Sequence, residues 1–264
     1  MNEIHRLRLR GVGNVLDEIE YIVEAFPEAA AIFFEDDTFA AAKKRCVEIC
    51  EGIRSRGIRV SWTANARADL DYETMRAMKR SGCRCLCVGF ESGSQRLLDA
   101  IKKRVSVEKM VQFMADARRA GILVHGCFIV GHPGETKETM ELTLALAKRL
   151  SPDTVQFYPI MVYPGTEAYA WYRERGLIAT DDFSKWLTPS GLHNTVVRTE
   201  EVSAEELVRF CDRARREFYL RPGYLLYKLR QTLANPSEMR RTLRSARTFA
   251  RHLFRGSDVR DTSG

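Results

Sequence analysis

Residues 82–103 read GCRCLCVGFESGSQRLLDAIKK. Gly82 opens the stretch and a short, largely apolar run, Cys83–Phe90, predicts a buried strand. Glu91-Ser92-Gly93 ends that run, and Gln95–Ile101 resumes at helical spacing. A strand, a glycine-bearing turn and a helix therefore follow one another within one stretch, which is the unit of an α/β fold.

The same rhythm extends outward in both directions. Upstream, Val15, Ile19, Ile22, Val23 and Phe26 recur at helical spacing until Pro27. Ala30–Phe34 predicts a strand with an acidic tip, Glu35-Asp36-Asp37. A helix with Val47, Ile49, Cys50 and Ile53 on its apolar side stops at Gly57. Ile58–Thr63 predicts the next strand, leading into Asn65 and Arg67, and Tyr72–Arg80 a helix. Downstream come helix Val107–Ala120, strand Ile122–Val130, the loop Gly131–Glu135, helix Lys137–Leu150 and strand Thr154–Tyr158. Strands that alternate with helices call for a parallel sheet, because parallel neighbours need crossover connections. Beyond Tyr163-Pro164-Gly165-Thr166 the alternation breaks. Residues 176–200 predict loop around Trp186 and Pro189. Ser203 with Glu206 forms a capping box that opens a helix. Tyr224–Leu233 and Ser237–Phe254 predict two more helices.

Composition bounds the rest. The 264 residues, 45% apolar and 29% charged, fit one globular domain with an appendage. No apolar run approaches the ~20 residues that span a bilayer, and the amino-terminal sequence has no secretory apolar core. Seven cysteines, an odd number, argue for a reduced, cytoplasmic chain. Residues 203–264 hold 14 Lys and Arg against 7 Asp and Glu, which accounts for the whole formal charge of +7.

In parallel α/β folds function gathers at the carboxyl ends of strands. Those ends carry Glu35-Asp36-Asp37, Asn65 and Arg67, Glu91-Ser92-Gly93, Gly131-His132-Pro133-Gly134-Glu135, and Phe157-Tyr158. Acids can accept from an ammonium or ribose hydroxyls, glycines let backbone approach a flat ring, and aromatics can cover it. The set fits a small, polar, nucleoside-like ligand. Plainer readings exist for several members. Glu35 or Asp37 could cap the next helix, Arg67 could be a solvated charge, Phe157 core, and Glu135 a first-turn acid.

The succession IFFEDDTF (32–39), WTANAR (62–67), the 82–103 stretch, GCFIVGHPGET (126–136) and YPGTE (163–167) resembles the strand-end motifs of radical S-adenosylmethionine (SAM) enzymes. It is most similar to the branch that carries a cobalamin-binding domain, and the resemblance covers about residues 8–180. It implies an α/β fold: a partial (β/α) barrel of about five parallel strands, the first strand missing, with a C-terminal helical extension. The implied division is a barrel over 1–180, a linker over 181–202, a basic helical extension over 203–255 and a disordered tail over 256–264. The resemblance also implies a SAM site. Glu35, Asp36 and Asp37 would meet the amino group, and Arg67, Glu91 and Ser92 the carboxylate and ribose. The Ile129–Glu135 loop, with Gly131, and Phe157 and Tyr158 would meet the adenine.

Members of this family hold a four-iron four-sulfur cluster by CxxxCxxC, and its electron cleaves SAM to a 5′-deoxyadenosyl radical. Cys46 and Cys50 have the first spacing, but Ile53 stands where the third cysteine would be. Cys83, Cys85 and Cys87, at period two, are expected on one face of a strand, as is Glu91 if no bulge intervenes, spread too far for one cluster. The cluster ligands, the first strand and any cobalamin domain are therefore expected upstream, with Met1 an internal start. His132 is the one histidine in a strand-end loop. The post-barrel segment resembles hopanoid-associated and tetrapyrrole-cyclase-like members. That implies a lipid-like or tetrapyrrole-like substrate and a reductant protein. The basic amphipathic tail could make weak membrane-surface contact or be a solvated face packed on the barrel; nucleic acid is not expected. Two further readings stay open at this stage: a non-catalytic nucleoside- or partner-binding barrel, and an unrelated barrel hydrolase or lyase using Asp36 and Asp37 with Mg²⁺.

Overall fold

The computed structural model describes residues 8–186 and 195–234. The expected helix Ser237–Phe254, the tail 256–264 and Pro189 lie outside the described residues. Five strands, β1 (Ile32–Phe34), β2 (Trp62–Ala66), β3 (Cys83–Glu91), β4 (Leu123–Val130) and β5 (Thr154–Pro159), form one open parallel sheet in that order. Nine α-helices are described: α1 (Val12–Ala25), α2 (Lys43–Ser55), α3 (Tyr72–Arg80), α4 (Gln95–Ala100), α5 (Val107–Ala120), α6 (Lys137–Leu150), α7 (Glu167–Glu174), α8 (Ala204–Tyr219) and α9 (Pro222–Ala234).

Contacts divide the chain into two compact units, Met1–Gly89 with Glu108–His125, and Phe90–Val107 with Gly126–Gly264. In the first, α2 packs on α1 and α3, and Ile49, Ile53, Trp62, Met75, Met78 and Leu86 are fully buried. In the second, Phe90, Phe128 and Phe157 stack in sequence at 5.5 and 5.3 Å, offset pairs of the kind aromatic rings prefer. The period-two alternation is visible in β4, where Val124, Gly126, Phe128 and Val130 are buried and Leu123, His125, Cys127 and Ile129 are half-buried. Each strand thus gives one set of side chains to the core and the alternate set to the other face.

The edge strand β5 is covered by α8. The Tyr219 hydroxyl accepts from the Val155 amide at 2.8 Å and donates to the Val155 carbonyl at 2.9 Å, satisfying edge groups that would otherwise template another strand. The capping box expected at Ser203 is present, with the Glu206 amide donating to Ser203 Oγ and Glu206 Oε2 accepting from the Ser203 amide.

The structure corrects several expectations. The strand predicted at Ile58–Thr63 lies at Trp62–Ala66, because only from Trp62 on does the chain have partners on both sides, Ile32 and Cys83. The strand predicted at Ala30–Phe34 shortens to Ile32–Phe34, the three residues that pair with Trp62–Ala64 of β2. α7 was unforeseen; it is eight residues long and starts at a Thr166 cap that accepts from the Tyr169 amide. The loop expected over 176–200 is partly packed. Ile178 bridges Val197, and Val162, Tyr172, Leu177, Trp186, Val196 and Val197 form a small apolar cluster.

A further correction concerns the cysteines. Trp62 pairs with Cys83 and Thr63 with Cys85, so Arg84 is an extra residue, a bulge. Cys83 is thereby turned with Leu86 and Val88 into the core, while Cys85 and Cys87 stay on the other face. The three do not share a face. Cys83 instead joins Cys46 and Cys50 among the fully buried thiols; burial, with Cys85 and Cys50 nearby, raises its pKa strongly.

Candidate functional site

In the first unit, β1 ends in Glu35, Asp36 and Asp37, all exposed. None caps α2, whose first residue follows Ala42 with no side-chain cap. What holds this acidic turn is β2: Asn65 Nδ2 donates to the Asp36 carbonyl at 3.0 Å, and the Phe39 amide donates to the Asn65 carbonyl at 3.1 Å. The carboxylates are left for other partners. Cys87, on the face opposite the core, feels Glu35; burial first, and that carboxylate second, push its thiol up. Arg67 follows β2 and donates from Nε to Asp69 at 3.1 Å.

In the second unit β3 ends in Glu91, whose φ of 64° is left-handed. A non-glycine residue there carries strain of ~1–2 kcal/mol. Its Oε1 accepts from Lys103 Nζ at 2.7 Å, both side chains about 15% exposed (15% and 16%). Lys103 is flanked by Lys102 and Arg104, each also left-handed at φ 56°. Three of the four left-handed non-glycine residues among those described thus cluster about one ion pair. Glu91 Oε2 is buried with no hydrogen-bond partner. An unsatisfied buried carboxylate oxygen is costly unless a ligand or water completes it.

The next loop adds a second unsatisfied group. His132 is 4% exposed, and neither ring nitrogen has a hydrogen-bond partner. Burial first, and the Lys103 ammonium second, lower its pKa to about 4, so the imidazole is neutral at physiological pH. Tyr158 projects to the same face as Cys127 and Ile129 by strand alternation; burial, then Cys127 and Glu91, raise its phenol strongly. Glu91, Lys103, His132, Cys127 and Tyr158 are linked through these mutual interactions into one polar group.

Other predicted site residues turn out to be braces. Ser92 is fully buried; its hydroxyl lies 3.2 Å from Thr143 Oγ1 and accepts from the Ser94 amide at 3.1 Å. Phe157 is 1% exposed within the Phe90–Phe128–Phe157 stack, so it is core and not a ring contact for a ligand. Glu135 is 1% exposed and closes its own loop, accepting from the Gly131 amide at 3.2 Å and from the Thr139 hydroxyl. Burial outweighs these bonds and raises its pKa. Gly131 sits at φ 90°, a conformation suited to glycine, and its carbonyl accepts from the Tyr172 hydroxyl. Lys103 escaped the sequence reading because Lys102-Lys103-Arg104 looks like a solvated charge run; the reversed backbone that turns its middle member inward leaves no mark in composition.

A nucleoside bearing an ammonium and hydroxyls fits this donor and acceptor set, since an orphaned carboxylate oxygen and a neutral imidazole both await polar partners. An iron–sulfur cluster does not fit. All seven cysteines are free, the strand trio is split between two faces, and the described residues contain no group of three ligating side chains able to hold a metal.

Comparison with known proteins places these features. The Radical SAM superfamily matches residues 3–147. An uncharacterised methyltransferase of Pyrococcus horikoshii is 32% identical over 222 residues, covering 84% of this chain and 47% of that protein. The anaerobic magnesium-protoporphyrin IX monomethyl ester cyclase of Cereibacter sphaeroides is 28% identical over 234 residues, covering 85% and 36%. The radical SAM methyltransferase TsrM from Kitasatospora setae, solved with cobalamin and an iron–sulfur cluster, superposes with a TM-score of 0.66 at 17% identity, over 81% of this chain and 47% of that one. The chain spans less than half the length of these curated relatives.

Proposed function

This chain belongs to the radical SAM superfamily, and from that premise we propose that the carboxyl ends of its strands bind SAM. The observation that carries the reading is Glu91: a strained, buried carboxylate, pinned by Lys103, with one oxygen unsatisfied. A ribose hydroxyl is the donor such an oxygen lacks. The exposed Glu35-Asp36-Asp37 turn is the proposed partner of the ammonium, and Arg67 of the carboxylate. Ile129 and Tyr158 offer apolar surface to the adenine, and Gly131 lets the backbone approach it. Ser92, Glu135 and Phe157 support these positions from behind.

SAM bound beside a reduced cluster supplies a 5′-deoxyadenosyl radical. The cysteines of this chain do not form a cluster set, so no cleavage step is assigned to its residues. For the chemistry the family performs we propose methylation, cyclisation or rearrangement at an unreactive carbon. A tetrapyrrole-like or lipid-like substrate and a cobalamin partner fit the relatives' names, and a protein reductant is proposed from the family resemblance. Among the described residues no helix is long and apolar enough to cross a membrane.

Equilibrium dialysis of SAM against this chain without iron tests the site. Saturable binding is expected, with Glu91→Gln weakening it about tenfold, the equivalent of one lost charge-assisted hydrogen bond. Unaltered affinity in that variant, with its circular dichroism unchanged, would remove Glu91 from the site. Absence of any SAM binding would remove the proposal.

A further inference from the structure

Helix α9 divides sharply into two sides. One is tied down: the Tyr224 hydroxyl donates to the Asp153 carbonyl at 2.7 Å, Gln231 Nε2 donates to Asp153 Oδ1 at 3.0 Å, and the Tyr227 hydroxyl donates to the same carboxylate. Just ahead of it, Arg221 donates to the Lys148 carbonyl and to Ser151 Oγ at 2.7 and 2.8 Å. These bonds fix the rotation of the helix about its axis. The opposite side carries Leu226, Leu229 and Leu233, at i, i+3 and i+7, which are 48%, 56% and 75% exposed. Leu225, 53% exposed, extends the stripe on one flank, and Arg230, also exposed, borders it on the other.

Four exposed leucines on one short helix form a patch that solvent disfavours. The charge of the surrounding sequence bears on what could cover it. Residues 221–264 contain 10 Lys and Arg against 3 Asp and Glu, so the apolar stripe lies in the most basic part of the chain. An aliphatic stripe bordered by Arg230, within the most basic stretch of the sequence, matches the acyl boundary and headgroups of an anionic bilayer. A nucleic acid would instead draw on aromatic or polar readers, which this face lacks. We propose that α9 docks this protein, leucine face down, onto an anionic membrane surface. The docking surface is separate from the SAM site and stands or falls independently of it.

The test is co-sedimentation of the full chain with vesicles of equimolar phosphatidylglycerol and phosphatidylcholine, against phosphatidylcholine alone. Binding is expected to the anionic vesicles and to weaken with added salt. In the triple variant Leu226→Gln, Leu229→Gln, Leu233→Gln, whose glutamines keep helix propensity, the apparent affinity should fall about tenfold or more. Should the triple variant unfold, Leu233→Gln alone, at the most exposed position, carries the comparison. Binding that the leucine substitutions leave unchanged would overturn the proposal, assigning any attachment to basic charge alone. So would failure to bind anionic vesicles, or a concentration-dependent dimer that the triple variant dissolves, which would make a second copy the occupant.

Discussion

At the residue scale the chemistry of this protein turns on groups held where they are least comfortable. Glu91 keeps a left-handed backbone that glycine would adopt freely, and its carboxylate is only half satisfied by Lys103. Strain of this kind persists where the surroundings impose it, as at ligand sites. His132 is the second such group, and its burial has a measurable sign. The folded state holds its pKa at about 4, below the ordinary 6.5. The unfolded chain therefore takes up a proton as pH falls through 6.5 while the native imidazole stays neutral. The stability that His132 confers is present above pH 6.5 and is lost on descent towards 4. Relative to His132→Leu, the wild-type unfolding free energy should drop by about 3 kcal/mol across that window. Denaturant titrations at the two ends check this; parallel pH profiles for the two proteins would show that His132 is solvated in the folded state.

The element scale is governed by how turns seat themselves on helices. Gly93, just after β3, lies against α6 so closely that a Cβ would sit 2.1 Å from the Leu142 carbonyl oxygen and 2.4 Å from its carbon. Its amide donates to Thr143 Oγ1 at 3.0 Å. Backbone cannot yield as a side-chain tip can, so Gly93→Ala should cost about 2 kcal/mol or more and loosen the Glu91 turn with it. A thermal midpoint within a degree or so of wild type would mean that α6 gives way cheaply. Ser203→Ala makes a milder contrast: it removes one cap from α8, with an expected loss of about 1 kcal/mol in the same measurement. The two positions differ in legibility. Ser203 and Glu206 announce their role by spacing alone. Gly93 is one glycine among 17 until α6 is seen behind it.

Across the whole molecule, the proposed SAM site stands at the strand ends of an open sheet, and among the described residues no group of three ligating side chains could hold a metal. Anaerobic reconstitution of this chain with iron and sulfide should accordingly give no cluster absorbance and no reductive cleavage of SAM. Stoichiometric iron accompanied by 5′-deoxyadenosine would contradict that. Alternating helix and strand periods and the glycines between them determined, by themselves, an α/β parallel sheet with acids, glycines and aromatics at the strand ends, since these depend on local spacing; the order of the strand-end motifs carried the resemblance to the radical SAM superfamily. Tertiary structure alone decided which of those residues are buried as braces and which remain open to other partners. The bulge at Arg84 separated Cys83 from Cys85 and Cys87, the Phe90–Phe128 stack claimed Phe157, the Gly131 loop claimed Glu135, and left-handed Lys102 and Arg104 turned Lys103 inward. Side-chain direction follows from backbone reversals and from partners distant in sequence, and neither is written in the period of the chain.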